Sequence, residues 1–477
     1  MKLRHLASVA LFPLLALGQD LNYLVYDTDH IPPSEYAVRR KTLRDDLGKD
    51  ALAIFVSAPP RTRNADTNYE YRQDDNFFYL TGFEEPNAIL LISAKGFGVR
   101  NLRDSTLTDT VHEIIFVQPR DPRWEQWTGR RFGPEGTMKL LGLEYAVTND
   151  KVKDVLTTSV SSSSIKSLYV VDVPSEVSRH GADPMQPLRE FIEKAKGGES
   201  HPEMRDAAAA VKKYRAVKSP GEIALITKAA HISALAHRQA MMSCKPGMAE
   251  YELQAVFEYV FRRYGSEYNA YPCIVGASEN SVILHYDTNR RPIKDGDIVL
   301  TDCAAEYHNY ASDVTRTFPA NGKFSAAQRE VYQIVLNAQN AAIALMKPGT
   351  QWRDVTAKAD SVLEAGLLTL GIIKEKNGKD FRKFYPHGLG HAVGLDVHDI
   401  GSVVMVPGVV YTVEPGIYIP DSAPNVPAKY SNIGVRIEDD ILITSSGNKI
   451  LSAEAPREMD EIESLMKKKG IADEPVE

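Results

Sequence analysis

The sequence predicts an α/β domain followed by a strand-rich α+β domain, and three observations carry that expectation. Up to about Lys196 short apolar runs alternate with mixed helical stretches; "KGGESHPEM" (196–204) then interrupts with Gly, Ser and Pro; beyond it two helices lead into strands separated by long helices. At 477 residues the chain exceeds what one hydrophobic core usually supports, which favours about two or three domains.

Taken in order, the elements begin with "MKLRHLASVALFPLLALG", where Lys2 and Arg4 precede an apolar run from Leu6 to Gly18. That is the pattern of a secretory signal peptide over residues 1–18, giving a secreted or periplasmic mature chain that starts near Gln19; a mitochondrial transit peptide is the alternative. The run is too short to span a bilayer comfortably and no later stretch reaches about 18 uninterrupted apolar residues, so no integral membrane segment is expected in the mature chain. Residues 19–200 form the expected first domain, with a helix at "EYAVRRKTLRDDL" and strands at "ALAIFVSA" (51–58), "AILLISA" (88–94), "HEIIFVQ" (112–118) and "SLYVVDV" (167–173). The second domain is expected over 201–460. Its start, "RDAAAAVKKYRAVKSPGEIALITKAAHISALAHRQAMM", reads as two helices, the second begun at Ser219-Pro220 with Glu222 in its first turn. Strands follow at "DIVLTDCAA", "VVYTVEPGIYI" and "VRIEDDILIT", separated by helices over about Ala326 to Leu345 and Trp352 to Leu370. Residues 461–477 read as the end of a closing helix and a solvated tail.

Composition excludes some functions. With 43% hydrophobic residues, 25% charged and a net charge of -7, no basic excess suggests a nucleic-acid partner. Cys244, Cys273 and Cys303 are too few and odd in number for a disulfide framework, and no CxxC spacing suggests a thiolate zinc site.

Within the second domain, "DCAAEYHNYASDVTRTF" (302–318) places Asp302 and Asp313 inside two apolar strands that face each other across a turn. "FYPHGLGHAVGLDVHD" (384–399) supplies His387, His391 and His398, with glycines that let backbone and imidazoles crowd around one point. "YTVEPGIYI" sets Glu414 beside a Pro-Gly turn, and "IGVRIEDDIL" puts Glu438 inside a strand near Arg436. Singly these have ordinary readings: a turn-forming aspartate, a packed histidine, half of a surface ion pair. Jointly they do not, because buried carboxylates must be paired, protonated or bound to metal, and Arg436 is the one nearby cation. Four carboxylates and one neutral imidazole carry about four negative charges, which two divalent ions neutralise. A donor set rich in oxygen, with one nitrogen and no thiolate, favours manganese, cobalt or iron over a closed zinc site. Strand alternation turns Cys303 to the opposite face, where it reads as core.

The order Asp, Asp, His, Glu, Glu, in the wording "TDCAAEYHNYASDVTRTF", "HGLGHAVGLDVHD", "TVEPGIYI" and "GVRIEDDILIT", resembles the pita-bread metallopeptidases, above all the Xaa-Pro aminopeptidases (aminopeptidase P) and the related Xaa-Pro dipeptidases (prolidases). The resemblance extends to "ILHYDTNRRPIKDGDIVL" and, in the first domain, to "YEYRQDDNFFYLTGFEEPNAILLI", which is similar to the aminopeptidase P N-terminal domain and is read mainly as packed core. It implies a pita-bread catalytic domain and metal ligands Asp302, Asp313, His391, Glu414 and Glu438, with Asp313 and Glu438 bridging two ions and His391 binding one. It further implies that His285 and His398 contact substrate and serve catalysis, that His387 lines the proline-side pocket, that Arg436 orders the site for catalysis, and that Tyr418, at the family's tyrosine position, also contacts substrate. The implied reaction is hydrolysis of the N-terminal Xaa-Pro bond of peptides by a hydroxide bridging two divalent ions, manganese foremost, with Glu414 moving the proton, in a dimer or tetramer. The alternative activity is the dipeptidase; a metal-free creatinase-type hydrolase and an inactive peptide-binding module should both lack several ligand positions, and this chain keeps all five. One departure is a segment between His398-Asp399 and Pro407-Gly408 that is shorter than in many relatives, which bears on the pocket rim.

Overall fold

Continuous apolar runs need cover on both faces, and the first of them, the strand Ala51–Val56, is buried at every residue at the centre of a mixed six-stranded sheet. The computed structural model describes residues 27–100, 106, 108–158, 165–175, 183–197, 201–376 and 379–473, so the signal-peptide reading of residues 1–18 lies outside the described residues. Across the sheet the strands run Ala146–Thr148, Thr108–Val117, Ile89–Arg100, Ala51–Val56, Ser167–Val170 and Glu203–Asp206. The last lies beyond the domain break expected at residue 200, yet Glu203–Asp206 pairs in parallel with Ser167–Val170. In the aminopeptidase P-like motif, Asp74 caps the helix Asp75–Thr81 by accepting from the Phe77 amide, and Phe77, Phe78, Leu80 and Phe83 are core as expected.

Asp206 caps the connecting helix Ala207–Arg215. The next helix, Pro220–Ser243, starts where its signals stand, with Pro220 in its first turn and a reciprocal capping box between Ser219 and Glu222. A second such box, Ser325 with Gln328, opens Ala326–Ile343. The second domain is a pita-bread fold. One antiparallel sheet joins Ile274–Ala277, Ile298–Asp302 and Thr315–Pro319; another joins Val410–Val413, Asp439–Ile443 and Asn448–Ile450; Gly416–Ile419 pairs with Ile433–Arg436. Helix Pro220–Ser243 lies against the strand Ala305–Tyr307, and Ala326–Ile343 against Ile433–Arg436.

Three expectations change in detail. Asp302 ends its strand and pairs with Thr315, while Asp313 falls in a break between Tyr310–Ala311 and Thr315–Pro319, so the two do not oppose each other in one hairpin. The turn between them belongs to a separate hairpin, closed by His308 and Asn309 at positive φ. Glu438 stands between Ile433–Arg436 and Asp439–Ile443 rather than inside a strand. The cause is local bonding: the Asp313 amide donates to the Asp440 carboxylate at 3.1 Å, and the Glu438 amide to the Thr315 carbonyl at 3.1 Å, which satisfies the backbone where pairing stops. At the C-terminus the expected closing helix runs Met459–Leu465, with Ile462 and Leu465 buried.

Candidate metal centre

Short-range pairing draws the histidine segment onto the Glu414 strand. The Thr412 amide donates to the His391 carbonyl at 2.8 Å, the Glu414 amide to the Leu389 carbonyl at 2.8 Å, and the His391 amide to the Thr412 hydroxyl at 3.0 Å. Gly390 permits this closeness, since a Cβ there would lie 2.3 Å from the Thr412 carbonyl oxygen. His391 Nε2 thereby comes within 3.4 Å of Asp313 Oδ2 and 3.6 Å of Glu414 Oε1. The ligand atoms of Asp313, His391 and Glu438 all lie within 4.8 Å of one another. Asp302 completes the group, its Oδ1 reached by the Tyr271 hydroxyl at 2.5 Å and its Oδ2 by Arg436 Nη2 at 2.6 Å.

The electrostatics call for cations. Burial pushes Asp313, Glu414 and Glu438 well above the usual carboxylate range, and each is pushed further by neighbouring carboxylates. The buried cation at the cluster, Arg436, pairs with Asp302 rather than forming the surface pair with Glu438 that local sequence allows. Tyr271 sharpens the point. Its one hydroxyl proton faces both Asp302 Oδ1 at 2.5 Å and Asp313 Oδ1 at 2.6 Å, so one of these oxygens needs a proton or a cation. Oxygen donors with one imidazole fit hard or borderline divalent ions.

Around the carboxylates lies a cavity of about 700 Å³, lined also by His285, His387, His398 and Arg436. His398 stacks on His391 with ring centroids 3.8 Å apart, and burial together with the charges of His391 and His285 holds its pKa below the ordinary value. His387 is held neutral, its pKa lowered to about 4 by burial and then by Arg436. Its Nδ1 faces the Gly388 carbonyl at 2.8 Å and must carry the proton; its Nε2 then accepts from the Tyr418 hydroxyl at 2.7 Å, while that oxygen accepts from Arg436 Nη1 at 2.9 Å. Tyr418 therefore stands behind the cavity wall and reaches it through His387, which differs from the direct substrate contact expected. The other nine candidate residues all line the cavity.

Sequence reasoning missed Tyr271 and Asp440. Tyr271 sits in "YNAYPCI", where no charge or periodicity marks it, and Asp440 is the third acid of "EDD". Cys303 is core as expected, fully buried and directed at the Ile274 carbonyl. A second set of possible ligands, Asp27, His30 and His308, fits a metal poorly. His308 presents Nδ1 to Glu267 at 2.9 Å and Nε2 to Asp29 at 3.2 Å; burial alone would lower its pKa, but these carboxylates raise it, holding both nitrogens as donors.

A pita-bread domain whose carboxylates and histidines close on one cavity defines a metallopeptidase. Residues 224–445 match the family described as "Metallopeptidase family M24" and residues 36–169 that described as "Aminopeptidase P, N-terminal domain". The chain belongs to metallopeptidase family M24, with an aminopeptidase P N-terminal domain. It is 38% identical over 452 residues to the Xaa-Pro aminopeptidase of Escherichia coli strain K12, covering 91% of this chain and 98% of that one. It is 32% identical over 443 residues to "Intermediate cleaving peptidase 55, mitochondrial" of Arabidopsis thaliana, covering 92% of this chain and 84% of the relative. The solved structure of aminopeptidase P from E. coli with the inhibitor Pro-Leu matches with a TM-score of 0.81 at 38% identity, over 92% of this chain and 99% of that chain.

Proposed function

We propose that the protein is an aminopeptidase that hydrolyses the first peptide bond of peptides with proline in second position, using two divalent ions, manganese foremost, held by Asp302, Asp313, His391, Glu414 and Glu438. The observation that carries this reading is Asp302, Asp313, Glu414 and Glu438 lining one cavity with Arg436 as their buried cation. When bound, the ions would supply Lewis acidity and lower the pKa of water at the site. Glu414 takes a proton from the attacking water and returns it to the leaving nitrogen. That return is obligatory, because a proline nitrogen carries no hydrogen before cleavage. His398 and His285 donate to the oxygen on which charge develops. Arg436, through Tyr418, holds the His387 ring in place, and Leu284, Ile274 and Val397 of the cavity lining offer apolar surface to the pyrrolidine ring.

A dipeptidase needs a fixed cation for the free carboxylate of its substrate. Among the described lining residues Arg436 is the one lysine or arginine, and it is committed to Asp302 and Tyr418, which favours longer peptides. Cleavage rates on Ala-Pro, Ala-Pro-Ala and Ala-Ala-Ala with manganese test this: Ala-Pro-Ala should be cleaved fastest, and a preference for Ala-Pro would make the enzyme a dipeptidase.

Two finer readings accompany it. Residues 1–18 are a signal peptide removed on export, giving a secreted or periplasmic chain, and the protein forms dimers or tetramers. No helix among the described residues is long and apolar enough to cross a membrane. Intact mass of the native protein tests the first: a chain starting near Gln19 supports export, whereas one retaining Met1, or recovered from mitochondria, contradicts it. Light scattering on the purified protein tests the second.

A further inference from the structure

The loop that carries His398 is held from outside the cavity. Residues 392–399, "AVGLDVHD", close on themselves where the Asp399 amide donates to the Ala392 carbonyl at 2.8 Å. Behind His398 the Asp399 side chain, 1% exposed, meets Arg215 Nη2 at 2.9 Å and Lys218 Nζ at 3.3 Å, both from the segment that connects the two domains. The same Arg215 nitrogen donates to Asp396 Oδ2 at 2.7 Å, and Arg215 Nη1 to Asn76 of the first domain at 3.1 Å. A Cβ at Gly394 would lie 2.2 Å from the Asp399 carboxylate, so the loop is folded tightly around this anchor.

The first domain holds the other arm. Arg72 donates through Nη2 to the Leu395 carbonyl at 2.8 Å, through Nη1 to Asp75 at 2.8 Å, and through Nε to Glu306 at 2.9 Å. Burial raises the pKa of the Asp75 carboxyl against the pull of Arg72, and its neighbour Asp396 raises it further, so that Asp75 keeps a proton to share with that carboxylate. Arg72 and Asp75 belong to the motif "YEYRQDDNFFYLTGF", whose aromatic residues build the first core and whose charged residues that core leaves unexplained. None of Arg72, Asp75, Arg215 and Lys218 lines the metal cavity. Buried ion clusters add little net stability over apolar packing of the same volume, but they fix geometry, because each fork and carboxylate admits few arrangements.

We propose that Arg72, Asp75 and Arg215 are positioning residues for His398: the first domain and the connecting helix set the 392–399 loop, and so the place of the imidazole over the scissile bond. The inference rests on the aminopeptidase reading of the cavity and on His398 acting on substrate there. Its test is a double-mutant cycle on the full-length, manganese-loaded protein with Ala-Pro-Ala as substrate. Arg72→Met should lower kcat by roughly 10-fold or more, since a misplacement of about 1 Å is costly to catalysis, with metal content retained and KM moved far less. In a His398→Ala background the same substitution should change kcat by less than about 2-fold, because the group it aims is gone. Asp75→Asn, closer in shape, goes through the same cycle in case Arg72→Met does not fold. Equal kcat losses in both backgrounds, or an unchanged kcat in the parent, would overturn the positioning role. A parent protein that leaves Ala-Pro-Ala intact would instead overturn the aminopeptidase reading itself.

Discussion

Replacing His398 with alanine separates catalysis from folding, and the structure sets the size of each effect. The imidazole is open to solvent on one side and partly covered on the other, where it stacks on His391 at 3.8 Å with the rings 26° apart. Its removal uncovers little apolar surface and leaves no buried donor unpaired, so unfolding free energy should change by no more than about 0.5 kcal/mol. All five proposed ligands stay, and metal content should stay with them. On its proposed role, what goes is one donor to the oxygen that gains charge as the peptide carbonyl is attacked, a loss that costs about 3 kcal/mol in the barrier and lowers kcat by roughly 10²-fold. Mass-spectrometric progress curves on Ala-Pro-Ala, elemental analysis and a denaturant melt give the three numbers from one preparation. A variant destabilised by a few kcal/mol that turned over at the parental rate would return His398 to a packing role.

Two further outcomes follow from the buried groups. Glu438→Ala should lose metal and activity together, because its carboxylate is buried among Asp302 and Asp313 with Thr315 Oγ1 at 2.7 Å as its side-chain donor; normal metal content and turnover would limit Glu438 to the fold. Acid stability is set in part by His237, fully buried with Nε2 facing the Cys303 and Val314 carbonyls, whose pKa burial and then Arg316 lower from 6.5 to about 3. The unfolded chain then binds a proton that the folded one refuses, so stability falls as pH drops from 6.5 towards 3, by about 3 kcal/mol between pH 6.5 and 4. His237→Gln, which keeps a donor for the carbonyls and cannot titrate, should flatten that acid limb; an unchanged slope would remove His237 as its cause.

Much of this site was legible because its chemistry is out of place locally. Asp302, Asp313, Glu414 and Glu438 interrupt apolar runs that a folded chain must bury, and that conflict is visible without coordinates. Ser219 and Ser325 mark helix starts for a similar reason, since capping is a matter of residues three apart. Strand ends were less legible: the breaks at Asp313 and Glu438 depend on Asp440 and Thr315, which are distant in sequence and adjacent in space. The strand Glu203–Asp206 hid behind a Gly-Gly interruption because pairing with Ser167–Val170 is a tertiary choice. Arg72 is the extreme case. Its carboxylate partner Glu306 lies 234 positions away and its carbonyl partner Leu395 lies 323 away, so nothing beside it in the sequence distinguishes it from a solvated surface arginine.

The central claim is a cavity that works only when two divalent ions neutralise its carboxylates. Protein stripped by a chelator and titrated with manganese, with Ala-Pro-Ala cleavage and bound metal read at each point, tests it most directly. Activity should start near zero, rise with added ion and level off at about two equivalents per chain, with metal affinity weakening as pH falls because Asp313, Glu414 and Glu438 must release protons to bind. Full cleavage by protein that elemental analysis finds free of metal would contradict it.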